Sequence, residues 1–304
     1  MLTVLRQLLV LYTFLGLGFF FGRWKKEQTM HTGLISFLLV NLFLPAKVFG
    51  TFSKNFTVSY LRDNSVTVLA SLSLLAILAL LSLPLSRLLA KSPFERNVYR
   101  YSLTVSNYAY MGYVLAEELF GEQGLTDLIL FCIPFAIYTY TVGYAMLTGR
   151  GVTWRRVVNP MMIAVLCGIA VGLTGISVPA ILSQVLSSAS ACVGPLSMLL
   201  TGMTLSTFAL RELVTDGRAY VFSALRLLIL PLVVLGLCLL GERTGLLPPS
   251  VLPAAVMMAC MPCGLNTIVF PKLVGEDCKI GARLALLTHL FSCFTIPVWL
   301  SVFH

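Results

Sequence analysis

The chain alternates between long apolar runs and short polar segments from one end to the other. A helix needs about 20 apolar residues to cross the hydrocarbon core of a bilayer. The pattern therefore predicts a series of membrane-spanning helices, numbered here as spans 1 to 10. The predicted spans are Leu2–Phe21, Met30–Thr51, Val66–Ala90, Tyr99–Phe120, Thr126–Leu147, Pro160–Thr174, Ile181–Leu210, Tyr220–Leu240, Val251–Val274 and Ile280–Phe303.

The amino-acid composition shows that the chain as a whole is too apolar for a soluble protein. Of 304 residues, 58% are hydrophobic and only 11% are charged, whereas a soluble domain carries about 25% charged residues. No loop is long enough to form a separate soluble domain, and the apolar N-terminal run is too long for a cleaved signal peptide. We therefore predict an all-α integral membrane protein whose first span is retained.

Basic residues are distributed unevenly between the two sides of the predicted membrane. Of the 21 Lys and Arg residues, fifteen lie in or beside the loops that follow odd-numbered spans, four lie on the other side, and Lys47 and Arg226 fall within spans. Positive residues favour the cytoplasmic side, so we expect both termini outside a bacterial inner membrane. The net charge of +9 suits contact with anionic lipid, and no binding to nucleic acid is expected.

The two halves of the chain resemble each other weakly. Three short patterns recur in the same order at offsets of 150 to 154 residues. They are Gly18-x-x-x-Gly22 with Gly168-x-x-x-Gly172, Pro45 with Pro195, and Glu118-Leu-Phe-Gly-Glu122 with Lys272-Leu-Val-Gly-Glu276. Because each half holds an odd number of spans, the second half enters from the opposite side. We predict two inverted five-helix repeats, residues 1–150 and 151–304, an architecture common in secondary transporters.

Polar, Gly-containing and Pro-containing stretches interrupt spans 4 and 9, which correspond in the two halves. Span 4 contains Ser106-Asn107-Tyr108-Ala109-Tyr110-Met111-Gly112, and span 9 contains Cys260-Met261-Pro262-Cys263-Gly264-Leu265-Asn266. Such breaks within a membrane leave backbone groups unpaired unless they are buried in protein or line a cavity. The freed N–H groups suit an anion. The alternative is a pair of kinked helices that are packed by small residues.

At these residues the chain resembles the auxin efflux carrier family, the bacterial relatives of plant PIN-type carriers. The resemblance is carried by Asn41-Leu-Phe-Leu-Pro45-Ala-Lys-Val-Phe49, Ser106 to Gly112, Asn159-Pro160, Gly194-Pro195, Gly202, Arg226, Pro231, Pro262, Asn266, Gly275-Glu276-Asp277, Thr288, Ser292, Thr295 and Pro297. Two positions depart from the family's pattern in span 4, where Val114 replaces a proline and Ala109 replaces a glycine.

The resemblance implies ten spans, a scaffold of spans 1, 2, 6 and 7 that often forms a homodimer contact, and a transport region where spans 4 and 9 cross. The implied substrates are small organic anions such as auxin, malate or malonate. Predicted substrate-binding residues are Asn107, Asn266, Ser106, Tyr108, Cys263, Asn41, Lys47 and Arg226. Predicted helix-break residues are Gly112, Pro262, Gly264, Pro45 and Pro195.

These residues also have structural interpretations. Asn107 and Asn266 could bond neighbouring helices instead of substrate. Lys47 and Arg226 could extend along their spans to reach the membrane surface. Pro262 is expected to make the break, not to touch the ligand.

Other chemistry is less favoured. Cys260-x-x-Cys263 could suggest a metal or redox site, but small residues that line the break are the preferred interpretation. The eight cysteines do not resemble a disulfide framework. His289 could carry a proton, although a packed, hydrogen-bonded histidine is favoured. We expect no metal, no cofactor and no enzymatic activity.

The function predicted from the sequence is secondary transport of a small organic anion by alternating access at the crossing of spans 4 and 9. A sodium-coupled symporter of the bile-acid-carrier type and a non-transporting membrane receptor or structural protein are the alternatives. The twelve acidic residues all lie in loops or at span ends, which disfavours sodium coupling.

Overall fold

The computed structural model describes residues 2–24 and 32–303. Within these residues the structure is helical and contains no strand, which confirms the predicted all-α class. The predicted start of span 2 at Met30 and the loop charges Lys25 and Lys26 lie outside the described residues.

The helices are labelled in chain order. They are α1 Leu2–Trp24, α2 Thr32–Asn55, α3 Val58–Asp63, α4 Thr67–Leu89, α5 Pro93–Thr104, α6 Tyr113–Tyr138, α7 Tyr144–Thr148, α8 Pro160–Thr174, α9 Ala180–Ala191, α10 Val193–Ser206, α11 Leu210–Val214, α12 Gly217–Arg243, α13 Val251–Cys260, α14 Asn266–Lys272 and α15 Lys279–Leu300. One-turn π-helical segments occur within α2 and α12, before α6 at Tyr108–Gly112, and between α6 and α7.

Seven helical segments of the described chain are long and apolar enough to cross a membrane. They begin at Leu2, Thr32, Thr67, Pro93, Ala180, Gly217 and Lys279. The fourth segment, Pro93–Thr148, covers 56 residues, and its backbone leaves helical geometry at Gly121, where φ is 69°. Two shorter apolar helices, α8 and α13, accompany them. The chain is therefore a multi-pass membrane protein.

Local sequence explains where several helices begin and end. The Asn159 side chain accepts a hydrogen bond from the Met162 backbone N–H at 3.1 Å, and Pro160 occupies the first helical turn of α8. Gly175, with φ of 69°, ends that helix in the left-handed region. Helix α5 begins six residues before the predicted span, because Ser92 caps its N-terminus by accepting from the Glu95 N–H at 3.1 Å.

Glycines allow close contacts between neighbouring helices. A Cβ added at Gly18 of α1 would lie 2.2 Å from the Leu199 carbonyl oxygen of α10. A Cβ added at Gly172 of α8 would lie 2.6 Å from the Phe52 carbonyl oxygen of α2. Small residues let membrane helices approach through their backbones. Both Gly-x-x-x-Gly patterns therefore serve as helix-packing surfaces, α1 on α10 and α8 on α2.

An ionic cluster joins the ends of α5, α12 and α15. Arg218 donates to Asp216 at 2.7 Å and to Glu95 at 2.9 Å, and Arg283 donates to Asp216 at 2.7 Å. Hydrogen bonds from Arg218, together with the charge of Arg283, hold the pKa of Asp216 below its ordinary value. Lys279 pairs with Glu212 beside this cluster at 2.9 Å.

Candidate functional site

Two breaks in helical structure meet inside the protein. The first covers residues 105–107, between α5 and the π turn that leads into α6, and the second covers residues 261–265, between α13 and α14. The backbone N–H of Asn107 donates to the Pro262 carbonyl oxygen at 2.8 Å. The Ser106 hydroxyl donates to the Met258 carbonyl oxygen at 2.7 Å. The two interrupted helices are thus hydrogen-bonded to each other where they break.

The polar groups that each break releases find partners in neighbouring segments. Pro262 has no N–H to donate, and the next N–H, of Cys263, donates to the Thr288 hydroxyl of α15 at 3.1 Å. A Cβ placed on Gly264 would lie 3.6 Å from the Ser106 carbonyl oxygen, so the two breaks touch at this glycine. The crossing is held by backbone groups that a continuous helix would have used internally.

A cavity of about 140 Å³ lies at the crossing. The predicted site residues that line it are Ser106, Asn107, Tyr108, Gly264 and Asn266. Its remaining wall consists of Ser36, Val40, Leu44, Val105, Ala109, Tyr110, Thr139, Tyr140, Met161, Leu200, Leu265, Val269 and Phe270. The wall contains amide, hydroxyl and apolar groups and no charged side chain among the described residues.

The two predicted asparagines have different neighbours. Asn266 donates from Nδ2 to the Tyr101 hydroxyl at 2.9 Å. The Nδ2 atom of Asn107 lies 3.3 Å from Nε2 of His289, and Asn107 is 4% exposed. Each amide is oriented by one neighbouring side chain while its residue lines the cavity, so both lie where they can contact a ligand.

Several predicted residues lie away from this cavity. Asn41 is exposed on α2 and donates to the carbonyl oxygen of Phe37, one turn earlier. Cys263 belongs to the second break and is fully buried. Gly112 packs on that break, since its Cβ position lies 3.4 Å from Cγ of Met261. The others that do not line it are Pro45, Pro195, Pro262, Lys47 and Arg226.

Lys47 is buried on α2 and forms an ion pair with Glu117 of α6. Its ammonium also lies 3.2 Å from the Ser190 hydroxyl of α9. These residues border a second cavity of about 530 Å³, which also contains the exposed pair of Lys54 and Glu122 at 2.6 Å. The lysine that the sequence marks as a possible anion-binding group is therefore already neutralised by a carboxylate.

Arg226 is fully buried in the π turn of α12. Its Nη2 donates to the Met261 carbonyl oxygen at 3.3 Å, at the C-terminal end of α13. Its Nε and Nη1 atoms have no hydrogen-bond partner among the described residues. A cation at a helix C-terminus is favoured by the helix dipole, so this guanidinium supports the broken end of α13.

Sequence reasoning missed two residues with direct roles in this arrangement. Tyr101 lies in the first half of span 4 and carries no signal beyond its aromatic character, yet it orients Asn266. Glu117 lies near the end of predicted span 4, where the sequence gives it no role, yet it lies within α6 and pairs with Lys47. Cys260 and Cys263 are free thiols, and no described group of three or more His, Cys, Asp or Glu side chains could hold a metal.

Comparison with known proteins identifies the family. The model of the family described as "Membrane transport protein" matches the chain twice, at residues 3–153 and 150–300. A search of curated proteins finds no match. Together the two matches cover nearly the whole chain, and the resemblance inferred from the motifs is confirmed. The chain belongs to this membrane transport protein family, that of the auxin efflux carriers.

Proposed function

We propose that this protein is a secondary transporter that moves a small organic anion across the cytoplasmic membrane, and that the cavity at the crossing is its substrate site. The observation that carries the proposal is the pair of amides, Asn107 and Asn266, that line one cavity where two broken helices meet. A transporter needs a polar site near the middle of the membrane, and broken helices are the usual way to build one.

The chemistry of the cavity favours a carboxylate with a small apolar body. Amide N–H groups and the hydroxyls of Ser36 and Thr139 can donate hydrogen bonds, and no described carboxylate lines the wall to repel an anion. Tyr140 and Phe270, with ring centroids 6.2 Å apart, supply an apolar surface for the rest of the ligand. Substrate pockets commonly combine such apolar walls with a few convergent polar groups.

We further propose ten spans arranged as two inverted repeats, residues 1–150 and 151–304. If the 56 residues of Pro93–Thr148 ran as one straight helix, it would be about 84 Å long, far beyond the 30 Å hydrocarbon core. We therefore divide this segment into two crossings at Gly121. The short helix α8 and the interrupted pair α13 and α14 supply the remaining crossings. The two family matches and the reciprocal glycine contacts, α1 on α10 and α8 on α2, support this pairing.

Alternating access follows from this topology. The cavity lies between α2, α8 and α10 on one side and the two broken helices on the other. The pair of buried Lys47 and half-exposed Glu117 joins α2 to α6, about one helical turn beyond Leu44 of the cavity wall. With both termini outside, the cavity would face the cytoplasm and the ion pair would close the outer side. The crossing would then move against the other helices to expose the anion outside.

Transport by purified protein in liposomes tests this proposal. Labelled malonate, malate and auxin would be offered with and without proton and sodium gradients, and uptake of at least one is expected. A lost hydrogen bond to a charged ligand costs about 1.5–3 kcal/mol, so Asn107→Ala and Asn266→Ala should each reduce uptake about tenfold or more.

The matched control is Asn97→Ala. Asn97 donates to the Met146 carbonyl oxygen at 3.0 Å and lies outside the cavity, so its loss removes a helix-to-helix amide bond without touching the site. Equal uptake by Asn107→Ala and wild type would remove that residue from the site. Folded protein that moves none of the anions under any gradient would contradict transport itself.

A further inference from the structure

The crossing contains a histidine that the proposed function does not use. His289 lies on α15 and is almost fully buried. Its Nδ1 lies 2.7 Å from the Ala285 carbonyl oxygen, and its Nε2 lies 3.3 Å from Nδ2 of Asn107. Because Asn107 lines the cavity, this ring sits directly behind a residue of the candidate substrate site.

These two contacts define the protonation of the neutral ring. A carbonyl oxygen can only accept, so Nδ1 carries a hydrogen and donates to Ala285. Neutral imidazole has one N–H, which leaves Nε2 as an acceptor for the amide N–H of Asn107. The amide oxygen of Asn107 consequently points away from the ring.

We propose that His289 takes up one proton with each transported anion, and that this proton turns the Asn107 amide so that its N–H groups face the substrate. The proposal rests on the proposed function. Hydronium from the cavity gives a proton to Nε2, a new N–H bond forms there, and water is left behind. Two donors cannot face each other, so the amide of Asn107 rotates and its oxygen accepts from Nε2–H.

The rotation links proton uptake to anion binding in both directions. With the ring neutral, one N–H of Asn107 is used by Nε2, and the amide offers a carboxylate only its second N–H beside an oxygen that repels it. With the ring protonated, the free edge is the NH₂ group, which donates to one. A carboxylate in an uncharged cavity is costly to desolvate, and the imidazolium behind Asn107 offsets that cost. Anion and proton would therefore cross the membrane together.

The groups around the ring are compatible with this exchange. Tyr12 of α1 donates to the His289 carbonyl oxygen at 2.8 Å, and the Cys293 thiol lies 3.9 Å from the same oxygen. Arg226 of α12 donates to the Met261 carbonyl oxygen at the end of α13. The backbone N–H of Cys263, in the second break, donates to Thr288. Neither contact involves the His289 ring. Among other ionisable groups on packed helices, Tyr101 bonds Asn266, Asp216 bonds Arg283, and Glu212 pairs with Lys279. Tyr99 of α5 keeps a buried hydroxyl with no hydrogen-bond partner among the described residues. No described carboxylate hydrogen-bonds to His289.

Proton movement in liposomes tests the proposal in the wild-type protein. The probe is whichever of malonate, malate and auxin is taken up fastest, with the membrane potential clamped at zero and a pH dye inside. About one proton should enter the liposome with each anion, and the dye should report the resulting acidification of the interior. Uptake from a dilute solution should rise, by up to about tenfold per pH unit, as the outside is acidified across about pH 8 to 5.

Variants locate the coupling at the ring. His289→Gln keeps a side chain that can bond Asn107 in either orientation but cannot hold an extra proton. We expect it to transport without internal acidification and with a flat pH profile, and His289→Asn serves as a second test if the first does not fold. Ser292→Ala is the matched control, because Ser292 bonds the His289 backbone and not the ring. It should retain both proton movement and the pH profile.

The outcomes separate this inference from the proposed function. Anion uptake by wild type without acidification, or folded His289 variants that keep proton movement and the wild-type profile, would overturn the coupling and leave transport intact. If folded wild-type protein moves none of the three anions at any pH, the proposed function fails and the coupling fails with it.

Discussion

The contact between α1 and α10 makes a quantitative prediction for Gly202→Ala. A Cβ built at Gly202 would lie 2.0 Å from the Leu15 carbonyl oxygen and 2.6 Å from the Phe19 backbone nitrogen. Ordinary van der Waals contact begins at 3.4 Å, so the added methyl group would require the two backbones to separate by about 1.4 Å, the difference between 3.4 and 2.0 Å. Both obstructing atoms belong to a helix backbone and cannot move without their helix. Overpacking of this kind costs about 1–3 kcal/mol.

The assay is the apparent melting temperature in detergent, measured as the fraction of protein that stays monodisperse after heating. Gly202→Ala should lower this temperature by several degrees. Gly16→Ala on α1 is the matched control, because nothing lies within 4 Å of its Cβ position, and alanine favours helix over glycine by about 1 kcal/mol. Gly22→Ala should fall between them. Its nearest obstacle, 2.0 Å away, is the Ser206 hydroxyl, which can rotate, whereas the Ser206 Cβ at 2.9 Å still requires a small shift.

The order of these three melting temperatures tests how closely α1 and α10 approach each other. Equal melting of Gly202→Ala and Gly16→Ala would mean that α1 and α10 do not approach as closely as described. It would also remove one of the two reciprocal glycine contacts that support the inverted repeat.

Three further predictions concern charges and a helix cap. Asp216→Asn should lower the melting temperature at neutral pH. Because the folded pKa of Asp216 is depressed, the difference in melting temperature from wild type should persist down to about pH 4 and disappear below it. A difference that is unchanged below pH 4 would refute this. Glu117→Gln should destabilise more than Lys47→Met, because it leaves a buried ammonium without its carboxylate; melting curves that rank them in the opposite order would contradict the pairing. Asn159→Ala should cost about 1 kcal/mol by removing the cap of α8, and Asn159→Ser should recover most of it if the cap is the cause.

Local signals explain what the sequence could predict. Span 6 matches α8 at both ends, because Asn159 and Pro160 start the helix and Gly175 ends it. The two breaks were also predictable, since Pro262 and the polar residues around Asn107 interrupt apolar runs that would otherwise form continuous helices. Each of these features depends on neighbours within a few residues along the chain.

The contacts that orient the site join distant parts of the chain and could not be predicted in the same way. Asn107 and His289 are 182 residues apart, and Lys47 and Glu117 are 70 residues apart. Hydrophobic periodicity gives no information about which spans are adjacent. Arg226 illustrates the same limit, because its place near a span end suggested access to the membrane surface, whereas tertiary packing buries it completely.

The most direct test of the central claim, that the crossing is the site of a carrier, is counterflow. Liposomes that contain the protein are preloaded with unlabelled substrate, and labelled substrate is then added outside at trace concentration. A carrier whose single site alternates between the two sides should take up label faster than it does in empty liposomes and accumulate it transiently, and Asn107→Ala should lose this exchange. Label uptake that is indifferent to preloading would contradict the account.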